Sequence, residues 1–402
     1  MTLRLRSALP LASALLLAAC SQPAHPPTES PPASTAPTQR GAGPAQCTKQ
    51  FRLLGEVRWD VGQQFGSTLV GGLSGIDWRV QDGSYYLVSD DRSAHDPARI
   101  YRAQIAYDTT GLHQVQIDEV HYLRTPAGNA YPNRRNATRG TAVPDPEALR
   151  LLPGGHSLVW SSEGDFSRGF GPSLQQATLD GQWQQDWPLP VQLQLPAFSG
   201  SNTGPRNNMT LEGIAISDDA RHLWLAMEGA LKQDGPLPRK GQVGGPVRFT
   251  QYDIATRQPL RQIAYVPDAL PNDPFTLPLA SVNGVSEILA DGPDHLLVLE
   301  RSYVLGQGFG VRLYRIATHG PHTTNTLALD TLTPENHQPA EKTLVLDFAQ
   351  IGLKTVDNIE AMTWGPPLAH GERVLLLVSD NNFNPAEVTQ FIALMEERHC
   401  AR

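Results

Sequence analysis

The chain has 402 residues, with 40 acidic against 32 basic side chains and a net charge of −8. That balance argues against nucleic acid as a partner, because binding phosphates needs a basic surface. Aromatic residues make up only 7%, Gly (35) and Pro (34) are plentiful, and sustained helical periodicity is hard to find, which speaks against a helical architecture.

Residues 1–20 read as an export signal. Arg4 and Arg6 precede an apolar run from Ala8 to Ala19 that is too short to span a bilayer comfortably and ends in small residues. Its end, Leu17-Ala18-Ala19-Cys20, resembles a bacterial lipobox, in which the cysteine thiol receives diacylglycerol before cleavage. An ordinary cleavable signal with an unrelated cysteine is the alternative. Ser21 rather than an aspartate follows Cys20, and by resemblance to sorting in Gram-negative bacteria this implies the outer membrane, facing the periplasm. Acyl chains would be the membrane anchor, at about 0.8 kcal/mol per buried methylene. No later stretch is long and apolar enough to cross a bilayer. Residues 21–46 are rich in Pro, Ala, Thr and Ser, cannot bury a core, and are expected to form a disordered tether.

The folded domain is expected over residues 47–402, and it is repetitive. Five segments share one grammar: a short apolar strand, a Gly- or Asp-containing turn, and a second apolar strand ending in an acid. They are LSGIDWRVQDGSYYLVSDD (73–91), PEALRLLPGGHSLVWSSEGD (146–165), LEGIAISDDARHLWLAMEG (211–229), VSEILADGPDHLLVLERS (285–302) and IEAMTWGPPLAHGERVLLLVSDN (359–381). A third strand follows each hairpin, at 98–105, 174–180, 247–254, 310–316 and 388–395, and a fourth follows the first four, at 115–123, 183–191, 260–266 and 342–348. Repeated four-stranded antiparallel units predict an all-β fold, a single β-propeller of five blades, with six as the alternative if a long connection hides another.

The last unit lacks its outer strand, and residues 51–60 are the obvious donor, since an unpaired sheet edge is a liability. Pairing 51–60 with 388–395 would bring Cys47 near Cys400, where export to an oxidising compartment would join them. A disulfide closing so long a loop would contribute about 5 kcal/mol as an upper limit. Long connections at 125–142, 192–210, 230–246, 267–281 and 317–340 are expected to cover one face of the disc.

The inner strand of a blade lines the central channel, and in four units it opens with a glutamate: Glu147, Glu212, Glu287 and Glu360, with Ser74 in the first. Converging carboxylates repel unless a cation or protons intervene, and a hard cation such as Ca2+ suits oxygen ligands. The plainer reading has each glutamate bonding backbone amides of a neighbouring blade, and both stay open. A second acidic set closes the second strands, at Asp90, Asp91, Glu163, Asp165, Glu228, Glu300 and Asp380, with Arg92, Arg168, Lys232 and Arg301 close behind and Asn381, Asn382 and Asn384 in the fifth unit. Carboxylates and guanidinium forks together could hold metal ions and an anionic ester, or they could be ordinary surface pairs worth little. No nucleophile elbow, H-E-x-x-H, P-loop or dinucleotide fingerprint is present. Ser74 lacks an identifiable base, which speaks against a serine esterase of the usual hydrolase fold.

The segments GLSGIDW, YYLVSDDR, DPEALRLLPGG, SSEGDFSRG, LEGIAIS, VLERSY, DNIEAMTWGP and LLLVSDNNFN, in that order, resemble the bacterial phytase-like family, described by its esterase-like activity of phytase. The resemblance implies hydrolysis of phosphate or carboxylic esters. In β-propeller phytases, calcium ions bind and cleave phosphomonoesters. On that analogy the catalytic set is Glu147, Glu212, Glu287, Glu360, Arg92, Arg168 and Arg301. The metal ligands would be Asp90, Asp91, Glu163, Glu228, Glu300 and Asp380, and the substrate a small anionic ester met by a monomer. The alternatives are a lactonase-like enzyme with one axial calcium, or a non-catalytic envelope-binding propeller. In the latter Trp183, Trp187, Phe198 and Phe275 would contribute contacts.

Overall fold

The computed structural model describes the backbone of residues 47–400 except 199, 274, 276, 321 and 322, and the side chains of the same residues except 47–49, 278–280 and 398–400. The signal 1–20 with Cys20, the tether 21–46 and the side chains of Cys47 and Cys400 lie outside the described residues.

Five four-stranded antiparallel sheets make the blades of a propeller. The first is built from Leu73–Trp78, Tyr85–Ser89, Arg99–Asp108 and Gly111–Tyr122. The second is Pro146–Leu151, Ser157–Ser162, Ser173–Thr178 and Trp183–Trp187, and the third Leu211–Ile216, His222–Met227, Val247–Asp253 and Gln258–Tyr265. The fourth comprises Leu277–Ala290, His295–Leu305, Gly308–Ala317 and Lys342–Asp347. In the fifth, Asn358–Trp364, Val374–Asp380 and Thr389–Cys400 are completed by the N-terminal strand Cys47–Trp59. That strand runs antiparallel to the C-terminal one, from Trp59 opposite Thr389 to Cys47 opposite Cys400, with a bulge between Leu53 and Gly55.

Local chemistry explains the hairpins. In the first, the turn between Trp78 and Tyr85 closes with Arg79 N–H donating to Ser84 O at 2.8 Å. Gly83 takes a left-handed φ of 74°, and the Asp82 carboxylate accepts the Ser84 amide at 3.1 Å. The second strands are continuous apolar runs, such as Leu296–Leu299 and Val374–Val378, and every residue in them is buried. Each blade is sandwiched between two others, so its middle strands bury both faces and lose the alternation of a half-exposed sheet. The core is accordingly distributed between blades: Tyr86 and Ile100 of the first meet Leu149 and Trp160 of the second, and Leu299 and Leu313 of the fourth meet Ile359 and Leu377 of the fifth. Each such side chain contributes about 1.5–3 kcal/mol by leaving water.

At the axis an ion pair joins all five blades. Arg150, of the second blade, donates to Ile76 O of the first at 2.7 Å, to Ile288 O of the fourth at 3.1 Å and to Met362 O of the fifth at 3.0 Å. It also pairs with Glu287 of the fourth at 2.8 Å. Glu287 in turn accepts Ile214 N–H of the third blade at 3.0 Å and Ile288 N–H at 2.8 Å. Inner strands are sheet edges, with backbone groups facing the axis that no ladder satisfies. The Arg150–Glu287 pair satisfies them and closes the channel. No helix among the described residues is long and apolar enough to cross a membrane.

Candidate active site at the propeller axis

Every inner strand carries an irregularity at the same place. The register to the second strand shifts between Leu73 and Gly75, Pro146 and Leu149, Leu211 and Gly213, Val285 and Glu287, and Ile359 and Ala361. A bulge frees one residue from the ladder and re-aims its side chain. The residues so placed are Ser74, Glu147, Glu212, Ser286 and Glu360. A second ring comes from the ends of the second strands: Asp90, Glu163, Glu228, Arg301 and Asp380. In the first three blades its amides donate to Gly72 O at 2.7 Å, Asp145 O at 3.0 Å and Thr210 O at 2.6 Å. In the last two, Arg301 faces Gly284 and Asp380 faces Asn358. Glycine is required where the rings crowd: a Cβ at Gly72 would lie 2.0 Å from Asp90 Oδ1, and one at Gly284 would lie 2.7 Å from Glu228 Cγ.

The two rings enclose a cup of about 420 Å³, lined by Asp90, Arg92, Glu147, Glu163, Glu212, Glu228, Arg301, Glu360 and Asp380. Asn208, Asn358 and Asn382 add amides, and Met209, Val282 and Phe309 an apolar sector. Asp145, one strand position before Glu147's blade begins, is buried beside them and pairs with Arg92. Arg92 also bonds Asn208. Asn208 and Asn382 hold left-handed backbone, with φ of 55° and 47°, a conformation asparagine tolerates better than most residues. Arg301 donates to Glu360 at 3.0 Å and to Glu228 at 3.4 Å.

Eight carboxylates thus share one cup with two guanidinium groups. Burial, then repulsion from Glu212, Asp145 and Asp90, pushes Glu147 well above the usual carboxylate range. Burial acts likewise on Glu163, Glu212, Asp90 and Asp380, each with neighbouring acids adding to the rise. Burial lifts Glu228 to about 7 and Asp145 to about 6, although Arg301 and Arg92 respectively pull them down. Burial alone would lower Arg301, but Glu360 and Glu228 hold it charged.

Two triads within the cup have carboxylate oxygens close enough to share a cation: Asp145, Glu147 and Glu163, and Glu163, Glu212 and Glu228, each set within 4.8 Å. Glu163 belongs to both. Asp145 Oδ1 is buried without a hydrogen-bond partner, as is Asn358 Oδ1. Oxygens left dry and unpaired are costly, and a hard divalent cation is the ligand that would satisfy a dense set of carboxylate oxygens. The residues therefore fit such an ion.

Nine of the residues read from sequence meet here: Glu147, Glu212, Glu360, Arg92 and Arg301 from the catalytic set, and Asp90, Glu163, Glu228 and Asp380 from the metal set. Four others do not. Glu287 is the axial strut with Arg150; the ring position of its blade is Ser286. Glu300 sits one residue before the ring position held by Arg301. It faces the other way, accepting Asp268 N–H at 2.9 Å, Asn283 Nδ2 at 3.0 Å and Lys342 Nζ at 2.6 Å. Asp91 organises its own loop, accepting the amides of Ala94, His95 and Asp96 and pairing with buried Arg99 at 2.8 Å. Burial would raise its pKa, but the Asp96 amide and Arg99 hold it low. Arg168 pairs with Asp165 and donates to Arg134 O at 2.7 Å, away from the cup lining. Lys232 donates to Ser201 O at 3.2 Å, and Trp187 is core. Asp145, Ser286 and Asn358 were not singled out from sequence. The signal for Asp145 and Asn358 is their place two residues before the ring glutamate in DPEALRL and DNIEAMTW, Asp145 just ahead of its inner strand and Asn358 at the start of its own.

A family model described as Phytase-like, esterase-like activity of phytase, matches residues 68–383. No curated protein matches the chain in sequence. Among solved structures it is similar to the catalytic domain of the Coprinopsis cinerea GH62 alpha-L-arabinofuranosidase, at 12% identity and a TM-score of 0.42, over 89% of this chain and 99% of that one. It is also similar to an endo-1,4-beta-xylanase from Bacteroides thetaiotaomicron, at 9% identity and a TM-score of 0.41, over 80% and 90%. Likenesses this distant say nothing of activity.

Proposed function

The chain belongs to the phytase-like family, and we propose on that premise that it hydrolyses small anionic esters in the axial cup with the help of divalent cations, calcium foremost. The observation that carries this reading is the pair of carboxylate triads sharing Glu163, with Asp145 Oδ1 buried and unpaired among them. Asp145, Glu147, Glu163, Glu212 and Glu228 would hold the cations. Bound there, a divalent ion would polarise the ester oxygen and lower the pKa of a water molecule.

The remaining residues supply binding and protons. Arg301 and Arg92 are the two positive groups of the cup, and a guanidinium fork suits a phosphoryl or carboxyl group. Arg301 Nε is buried without a partner, and its bonds to Glu228 and Glu360 run through Nη2. Asp90, Glu360 and Asp380 lie outside the triads, and burial raises all three. A carboxyl that burial helps to keep its proton can donate it to a departing alcohol oxygen. The Arg150–Glu287 layer closes the axis, so substrate and water enter from one side.

The same reading places the protein in the bacterial envelope as a monomer, anchored through lipid on Cys20 and spaced from the outer membrane by residues 21–46. The backbone register that sets Cys47 opposite Cys400 supports a disulfide, since Cα atoms of directly opposed antiparallel residues stand about 4.5–5.5 Å apart, within disulfide range.

Hydrolysis of p-nitrophenyl phosphate and p-nitrophenyl acetate should be measured with calcium, after chelation, and with Glu163→Gln. Activity that needs calcium and is lost in the variant is expected. Turnover that survives both chelation and the variant would refute the reading.

A further inference from the structure

The cup is chemically lopsided, and its asymmetry bears on what kind of ester it takes. Blades two, three and five present acids in both rings. Blade four presents Arg301, and the bulge position of its inner strand is Ser286, whose Oγ donates to Ile359 O at 3.2 Å. Its hairpin strands, Leu277–Ala290 and His295–Leu305, are also longer than the inner hairpin strands of the other blades, none of which exceeds seven residues. The extra length continues the sheet past the rings. There Val282, Tyr303 and Phe309 stand directly opposite one another on three adjacent strands, so their side chains share one face. The Tyr303 ring packs tilted at 56° against Phe309 with centroids 5.1 Å apart, and Val282 and Phe309 line the cup. Tyr303 lies two positions beyond Arg301 along the strand, which places the apolar row on the Arg301 face about 7 Å further out.

Resting on the reading that the cup hydrolyses anionic esters, we propose that its substrate is a monoester with one anionic group on an apolar or aromatic alcohol. Arg301 receives the anion, and the Val282–Phe309 row, with Met209, receives the alcohol. A polyanion such as inositol hexakisphosphate fits poorly. Beyond the first phosphate, its other groups would face Asp90, Glu360 and Asp380 rather than further cations, because Arg92 and Arg301 are the cup's only guanidinium groups among the described residues. For a phosphomonoester the reaction consumes one water. A bond forms from water oxygen to phosphorus, the bond from phosphorus to the alcohol oxygen breaks, and a proton passes to that oxygen, leaving inorganic phosphate and neutral alcohol.

The test compares 2-naphthyl phosphate, glycerol 2-phosphate and inositol hexakisphosphate on the full folded domain with calcium. The naphthyl ester should show at least about tenfold higher kcat/KM than glycerol 2-phosphate, equivalent to about 1.4 kcal/mol. Phe309→Ala with Val282→Ser should raise KM for the naphthyl ester several-fold and bring the ratio toward one, with the fold checked by its thermal transition. An unchanged ratio in the variant, or preferred turnover of inositol hexakisphosphate, would overturn the proposal. If no ester is turned over, the hydrolase reading falls by itself. Calorimetric binding of 2-naphthyl phosphate against glycerol 2-phosphate then decides the inference alone, and equal affinities would sink it.

Discussion

Removing the charge of Glu287 tests how the disc is held together. Glu287→Met leaves the Arg150 guanidinium buried, with side-chain exposure of 2%, and it orphans the Ile214 amide at once. Breaking a buried pair by deleting one partner typically costs about 3–5 kcal/mol, and an unsatisfied buried amide adds about 1–3 kcal/mol. Arg150→Met is expected to cost more, at least about 5 kcal/mol, because the carbonyls of Ile76, Ile288 and Met362 lose their donor. The double variant with methionine at both positions removes both charges and recovers the uncompensated-ion part. The backbone groups stay unsatisfied, so it does not reach the parent. The assay is urea unfolding followed by tryptophan fluorescence and far-UV circular dichroism, with coincident transitions as the check that one ΔG applies. A coupling energy below about 1 kcal/mol in this cycle, or a double variant as stable as the parent, would refute the view that the pair satisfies the inner edges of all five blades.

Without cations, stability should fall as pH rises through about 4 to 7. Asp145 and Glu228 have folded pKa values raised to about 6 and about 7, so the native state keeps protons the unfolded chain has lost. The loss is about 1.4 kcal/mol per retained proton per pH unit. Calcium should restore more stability at pH 8 than at pH 5, and thermal melts at both pH values with and without calcium measure it. Glu163→Gln should weaken calcium binding by calorimetry at least tenfold, because it belongs to both triads, whereas Glu300→Gln should leave calcium affinity within twofold. Asp91→Asn should destabilise the fold by about 1–3 kcal/mol in urea without changing calcium affinity, as its partners are its own loop and Arg99. Thiol titration of the exported, denatured protein should find Cys47 and Cys400 unreactive until a reductant is added.

The blades were legible in the sequence because turn chemistry and apolar runs are local signals, repeated five times. The outer strands and the antiparallel pairing of the two chain ends follow from the same repetition. The site was legible where the acid coincides with the ring position, as in PEAL, LEGI and IEAM. It failed in the fourth blade for one physical reason. VSEIL and LERS each carry an acid beside the ring position, and side chains alternate along a strand, so a slip of one residue carries the group to the opposite face. Aligning by acids selected Glu287 and Glu300; aligning by the bulge selects Ser286 and Arg301. Nothing local in VSEIL marks the bulge. Asp91 and Arg168 were misplaced differently: each directly follows or neighbours a true ring element, but turns into its own loop.

The bulges have a consequence for how such a molecule can change. A residue released from the ladder carries no pairing duty, and Glu147, Glu212 and Glu360 open on the cup, whereas Ser286 Oγ reaches across to Ile359 O of the next blade. Those three glutamates can thus be exchanged with little effect on the blades that present them. The disc offers three such sockets on a fixed frame, and the chemistry of the cup can be rewritten socket by socket while its architecture stands.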